Sequence, residues 1–219
     1  MNYKKMAATS IILAAGLMAV PNDAALAAEP LPTMKSLKLI PVPRLRQASD
    51  YTCGVCALQA VLAYYGEDMR EDELARALKA TPRDGTRYQA IAVYGKKHGY
   101  KVEIKKNSTI AELETTIRNG LPAICLLQAW AENKSRQSDY SKNWEDGHYV
   151  VAVGFDKERI YFMDPSTTGN YAYVNRKDFL KRWHDTDGKE RLNNFFMVLS
   201  KKPVAPTVMH DPDAITEMK

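Results

Sequence analysis

The chain places a cysteine where a polar loop turns into an apolar run, a glutamine six residues before it, and a histidine and an aspartate at the ends of two later apolar runs. The first boundary reads Arg46-Gln47-Ala48-Ser49-Asp50-Tyr51-Thr52-Cys53-Gly54-Val55-Cys56. A thiol on the first turn of a helix meets unpaired backbone N–H groups and the positive end of the helix dipole, which favour the thiolate, the form that attacks a carbonyl carbon. An isolated cysteine there is more often a small core residue, so the assignment depends on partners. Gln47 is spaced to let the loop fold back and aim its amide at the space before the sulfur. With the backbone N–H of the nucleophile it makes a two-donor oxyanion hole. His148 opens the run Gly147-His148-Tyr149-Val150-Val151-Ala152-Val153-Gly154, and sixteen residues later, past the turn Asp156-Lys157-Glu158-Arg159, comes Met163-Asp164-Pro165. A hairpin of this length returns both ends to one edge of a sheet. Asp164 then accepts from one ring nitrogen of His148 while the other faces Cys53, giving a nucleophile, a base and its orienter. Taken singly, these are an edge histidine and the cap of a turn; jointly they point to nucleophilic catalysis by a thiol. His98 and His184 follow helix ends and His210 lies near the C-terminus, so all three read as structural or solvated.

These side chains need a helix and a hairpin to hold them. Leu58, Val61, Leu62 and Tyr65 recur at helical spacing and Gly66 closes the pattern, which predicts a buried helix over residues 53–65. Amphipathic patterns predict helices over 71–80 and 87–98, and a strand follows at 100–104. Thr109-Ile110-Ala111-Glu112 is a capping box that opens a fourth helix, stopped by Gly120 and Pro122. Strands are expected at 123–127, 149–155, 159–163, 171–174 and 194–199, with Asn175 capping one more helix over 177–183. Helices first and strands mostly later define an α+β fold with an antiparallel sheet. The loops Asp84-Gly85-Thr86 and Trp144-Glu145-Asp146-Gly147 suit either cleft walls or simple turns.

The 219 residues are 45% hydrophobic and 26% charged, the pattern of an ordinary globular protein. A net charge of +5, evenly spread, argues against nucleic acid as the main partner. Three cysteines exclude a disulfide-framework miniprotein. Lys4 and Lys5, the apolar stretch 6–20 and the small residues Ala25-Leu26-Ala27 form the three parts of a secretory signal, with cleavage expected before Ala28. The expected organisation is a signal peptide over 1–27, an extended lead-in over 28–38, one domain over 39–201 and a flexible tail over 202–219. The protein is then periplasmic or extracellular. No later stretch is apolar enough to span a bilayer. The expected partner is a peptide or protein substrate, met by a monomer, with no cofactor, metal or nucleic acid.

Gln47, Asp50-Tyr51-Thr52-Cys53-Gly54, Tyr64-Tyr65-Gly66, His148-Tyr149-Val150-Val151 and Asp164-Pro165 together resemble the papain-like cysteine peptidases, and among them the bacterial bacteriocin-processing (double-glycine leader) group. The resemblance implies a papain-like fold with N-terminal helices packed on an antiparallel sheet. It makes Cys53 the nucleophile, His148 the general base and acid, Asp164 its orienter and Gln47 the oxyanion donor. Two departures matter. Plant-type papain sequences use the second cysteine of Cys-Gly-Ser-Cys-Trp, but Gln47 has the required spacing to Cys53 and not to Cys56. The leader peptidases are usually cytoplasmic domains fused to a transporter, whereas the export signal implies a stand-alone form outside the cytoplasm, whose substrate need not be a double-glycine leader.

Other readings compete. Cys53-x-x-Cys56 at a helix start also suits a thioredoxin-like oxidoreductase, although no strand pattern leads into Cys53 and that class gives His148 and Asp164 no role. Cys56 and Cys125 are either a disulfide or two buried thiols. A single Cys-x-x-Cys pair does not make a zinc site. A non-enzymatic binding domain is weakly supported, since all four candidate residues are present. Amidase and acyl-transfer relatives share the thioester and differ in what attacks it.

Overall fold

The computed structural model describes residues 37–130 and 139–201; the expected signal peptide, nearly all of the lead-in and the tail lie outside them. Apolar residues recur on every side of α1 (Cys53–Tyr64), and its Val55, Cys56, Leu58, Val61 and Leu62 are fully enclosed. A helix apolar all round belongs in the interior. The next residue but one, Gly66, takes a positive φ of 84° and turns the chain away. The amphipathic helices α2 (Glu71–Leu78) and α3 (Tyr88–Lys97) follow, then strand β1 (Lys101–Lys105). Helix α4 (Ile110–Arg118) opens on the expected capping box: the Glu112 N–H donates to the Thr109 hydroxyl and the Thr109 N–H to the Glu112 carboxylate.

The remaining elements are β2 (Ala123–Gln128), β3 (Gly147–Phe155), β4 (Arg159–Met163), β5 (Ala172–Asn175), α5 (Arg176–Arg182), β6 (His184–Asp187), β7 (Glu190–Asn193) and β8 (Phe196–Ser200). Six strands form one sheet in the order β1-β8-β2-β3-β4-β5, with every neighbouring pair antiparallel. Edge strand β1 keeps Lys101 and Lys105 exposed, which discourages pairing with another chain. Central strands β2 and β3 are buried on both faces, so they read as continuous apolar runs rather than alternating ones. Helices α1 and α4 pack against β3. From α5, Phe179 meets Phe162 of β4 and stacks on Trp183. The architecture is the α+β arrangement of helices on an antiparallel sheet that the sequence implied.

Two features differ from the sequence reading. The ribbon of β6 and β7 was not anticipated, because His184-Asp185-Thr186-Asp187 is polar and carries little strand propensity; it pairs through its backbone, in register from His184 opposite Asn193 to Asp187 opposite Glu190. Asn175 does stand at the N-cap of α5, but its side chain makes no capping hydrogen bond.

Gly54 shows how closely the start of α1 approaches the sheet. A Cβ there would fall 2.7 Å from Cβ of Thr86 and 2.9 Å from Cδ2 of Tyr149, so the residue after Cys53 has no room for a side chain. The sulfur-bearing end of the helix thereby comes against the first residues of β3.

Candidate active site

Cys53 is the first residue of α1 and is half-buried. The turn before it is closed by its own hydroxyls: Thr52 Oγ1 donates to the Ser49 carbonyl at 3.0 Å and accepts from the Ser49 N–H at 3.1 Å. Thr52 therefore spends its side chain on the turn and makes no cap to the helix. Cys56, one turn on, is fully buried, and burial first, then nearby negative charge, pushes its thiol up to about 12. Burial likewise raises the thiol of Cys125, in the interior of β2. All three cysteines are free, so the Cys56–Cys125 disulfide is not formed and the alternative of two buried thiols is the one observed.

His148 is the second residue of β3 and Asp164 the first after β4. The ladder pairs Val151 with Met163. Continued by one residue it sets Asp164 opposite Val150, on the same face as His148 and diagonal to it. The two side chains meet there, with Nε2 of His148 2.7 Å from Oδ1 of Asp164. Asp164 also accepts from the Ser166 N–H (2.8 Å), the Ser166 hydroxyl (2.8 and 3.0 Å) and the Thr167 hydroxyl (3.0 Å). Burial alone would raise this carboxyl, but the hydrogen bond and charge of His148 and the Ser166 donors outweigh it and hold it at about 2. For His148, burial works to lower the pKa; the hydrogen bond to Asp164, the nearby Cys53 thiol and the charges of both win and lift the ring to about 9.

Nδ1 of His148 is buried and has no hydrogen bond of normal geometry. The thiol nonetheless lies close enough to raise the proton affinity of the ring. A near but unaligned contact is common between a nucleophile and its base before substrate arrives. Trp130 tilts over the same ring, with centroids 4.6 Å apart, and has a positive φ of 56°. Cys53, His148 and Asp164 are thus brought together.

Gln47 is placed differently. Its backbone N–H donates to the Pro165 carbonyl at 3.0 Å, which ties its loop to the turn carrying Asp164. Its side-chain amide donates to the Ser49 carbonyl at 2.8 Å, while Oε1 is buried without a partner. One amide N–H is therefore committed to the loop before Cys53, and the second remains for another acceptor. Gln47 shares a cavity wall with Ser49, Asp50, Trp130 and Ser166, not the cavity onto which Cys53 opens.

That second cavity is walled by Asp84, Gly85 and Thr86, as the cleft reading of this loop expected, and also by Gly147, Asp185 and Asp187. Fully buried Gln128 fixes its far side: Nε2 donates to the His184 carbonyl (3.1 Å) and to Oδ1 of Asp185 (3.0 Å), and Oε1 accepts from the Asp146 N–H (3.0 Å). Trp144 tilts over His184, with centroids 4.4 Å apart, and the His184 ring nitrogen meets the Asn143 carbonyl at 2.7 Å, so His184 is structural. Trp130, Asp185 and the Ser166–Thr167 cradle were missed in the sequence. Only the cradle had a local signal, since hydroxyl residues just after an Asp-Pro turn are the usual donors to the carboxylate. Among the described residues no three His, Cys, Asp or Glu side chains converge as a metal site, and no helix is long and apolar enough to cross a membrane.

A free thiol at a helix start, beside an imidazole carried by an antiparallel sheet, is the layout of the cysteine peptidases. The chain belongs to the Peptidase_C39 like family, whose model matches residues 39–190. It is similar to the pediocin PA-1 transport/processing ATP-binding protein PedD of Pediococcus acidilactici, at 25% identity over 137 residues; these are 63% of this chain but 17% of that relative. Its fold resembles a putative C39-like peptidase from Bacillus anthracis, with a TM-score of 0.58 and 19% identity over 77% of this chain and 98% of that one. A double glycine motif protease from an AMS/PCAT transporter, solved in complex with the leader peptide, gives a TM-score of 0.50 and 18% identity, covering 72% of this chain and 90% of that one. The fold is accordingly that of the C39-type peptidase domains, helices packed on an antiparallel sheet, and the chain spans about a sixth of the length of the curated relatives it matches. The fold removes the thioredoxin-like alternative, because β1 follows α3 and no strand of the sheet runs into Cys53.

Proposed function

We propose that the protein is an exported thiol peptidase in which Cys53, His148, Asp164 and Gln47 carry the reaction. The sulfur of Cys53 attacks the carbonyl carbon of a peptide bond, and the developing oxyanion is met by the backbone N–H of Cys53 and the spare amide N–H of Gln47. Imidazolium His148 gives its proton to the leaving nitrogen, and the C–N bond breaks to leave a thioester. Neutral His148 then takes a proton from water, whose oxygen attacks the thioester; the C–S bond breaks and frees the carboxyl product and the Cys53 thiolate, which again faces the imidazolium. Asp164 holds the ring by Nε2 throughout. One observation above the others supports this reading: Nε2 is committed to Asp164 at 2.7 Å, so the remaining ring nitrogen is the one available to the thiol. A peptide substrate is favoured by the leader peptide bound to the related double glycine motif protease. Export rests on the signal-like pattern of residues 1–27.

The test is brief alkylation with iodoacetamide near neutral pH with mapping of the modified cysteine, followed by peptide-library cleavage with wild type and Cys53→Ala. Cys53 is expected to react first and Cys53→Ala to lose all cleavage. Equal reactivity of Cys53 and Cys125, or cleavage that survives Cys53→Ala, would overturn the assignment. Gln47→Ala is expected to lower kcat by about 10²-fold, the effect of removing one oxyanion donor.

A further inference from the structure

The cavity onto which Cys53 opens has a volume of about 280 Å³, room for one long side chain, and it contains a carboxylate that the fold does not need. Gly147, directly before His148, leaves space that Asp185 fills: a Cβ at Gly147 would lie 2.2 Å from Oδ2 of Asp185. Asp185 is 7% exposed, and its Oδ1 accepts from the Gln128 amide at 3.0 Å. The Thr186 backbone N–H is its other donor; both donors are neutral, so no cation of the local structure balances the charge. The two arginines that line the cavity are spoken for, since Arg87 pairs with both Asp187 (2.8 Å) and Asp84 (3.0 Å) and Arg83 with Asp84 (3.1 Å), and the imidazole of His148, whose charge also acts on Asp185, is held by Asp164 at 2.7 Å. None of the described lysines and arginines pairs with Asp185. Burial, with the charge of Asp187 adding to it, raises its carboxyl to about 6, a cost that a cation entering the cavity would remove. The same wall holds a second unused group, the Thr86 hydroxyl, which is buried without a hydrogen-bond partner. An anion and an unpaired hydroxyl beside the nucleophile make a receptor for a donor that brings positive charge.

We infer that this cavity is a substrate subsite next to Cys53, in which Asp185 and Thr86 select a cationic nitrogen, carried by a lysine or arginine side chain or by a free peptide amino terminus. The inference rests on the peptidase reading above. A charge-assisted hydrogen bond of this kind corresponds to a selectivity of about tenfold or more.

The full-length protein is assayed on a positional peptide library containing lysine, arginine, norleucine and citrulline, with free and acetylated amino termini. A preference in kcat/KM of about tenfold for lysine or arginine at one position beside the cleaved bond is expected, collapsing towards unity in Asp185→Asn. If the preference follows the free terminus and disappears on acetylation, the ligand is the terminal ammonium. A second measurement compares the rates at which two peptide electrophiles, one with lysine and one with norleucine beside the warhead, alkylate Cys53. Faster labelling by the lysine electrophile without cleavage of any library peptide would end the peptidase reading and leave the subsite standing. Cleavage with no basic preference, or a preference that survives both Asp185→Asn and Thr86→Val, would overturn the subsite and leave the peptidase reading intact.

Discussion

Two carboxylates lie about His148, Asp164 partly buried and Asp185 buried, and they have been driven in opposite directions. Asp164 is held at about 2 and Asp185 is raised to about 6. Burial pushes both upward, so it does not distinguish them. Asp164 faces an imidazole and is cradled by Ser166 and Thr167, whereas Asp185 has the Gln128 amide, the Thr186 backbone and a like charge on Asp187. What surrounds a buried carboxyl, not how deeply it lies, decides whether it serves as a fixed anion or waits for a partner. In the reading proposed above, Asp164 already has its partners in place, whereas the pocket of Asp185 receives its cation from the substrate.

The largest effect expected from breaking this contrast is on rate. Asp164→Asn removes the acceptor that fixes the ring tautomer, and kcat/KM should fall by about 10³-fold or more, as for other base–orienter pairs. The same change moves the alkaline limb of the pH profile. His148 is lifted to about 9 in part by Asp164. Without that lift, burial dominates, and the ring loses its proton at lower pH. The descending limb should shift acidward from near pH 9 in a profile of kcat/KM against pH. An unmoved limb would mean that the group titrating there is not His148.

The second effect is on stability, with opposite signs at the two sites. A carboxyl raised from 3.8 to about 6 favours folding below pH 3.8 relative to neutral pH, and that advantage is lost as pH rises through about 6. Asp185→Asn, which mimics the neutral acid, should therefore stabilise the protein by about 1–3 kcal/mol at pH 7.5 and change it little near pH 3.5. A carboxyl lowered to about 2 favours folding above pH 3.8 and loses that contribution as pH falls through about 2. Asp164→Asn should therefore destabilise at neutral pH. Urea unfolding of both variants at the two pH values checks the signs. A neutral-pH gain in Asp185→Asn is the usual mark of a residue kept for activity at the expense of stability.

How much of this was legible in the sequence follows from the range of the interactions. Local signals gave α1, the capping box of α4 and the antiparallel hairpin, because helical spacing, Thr109 with Glu112, and the Asp156 turn act within a few residues. The approach of His148 to Asp164 followed from hairpin arithmetic. Gln47 was placed in the right loop, but spacing says nothing about which acceptor an amide chooses, and the Ser49 carbonyl takes one of its protons. Asp185 was invisible. It sits in a polar four-residue strand, and its position depends on Gln128 reaching across from β2, a contact between residues 57 positions apart. Trp130 likewise reaches His148 only through a positive φ at the end of β2, which no periodicity announces.

The smallest effect sharpens the comparison by making Asp164 slightly more like Asp185. Ser166→Ala deletes a hydroxyl that donates to both carboxylate oxygens and leaves the Ser166 N–H, the Thr167 hydroxyl and His148 in place. The carboxyl should rise from about 2 towards its unfolded value while staying ionised at pH 7, so the rate should change by only a few-fold. Because the native carboxylate has lost part of its stabilisation, the variant should be less stable than wild type by about 1 kcal/mol at neutral pH. The two stabilities should converge as pH falls through about 2, where the carboxyl is neutral in both proteins. If the gap persists in acid, Ser166 contributes through packing, and the low proton affinity of Asp164 must come from His148 and the remaining donors alone.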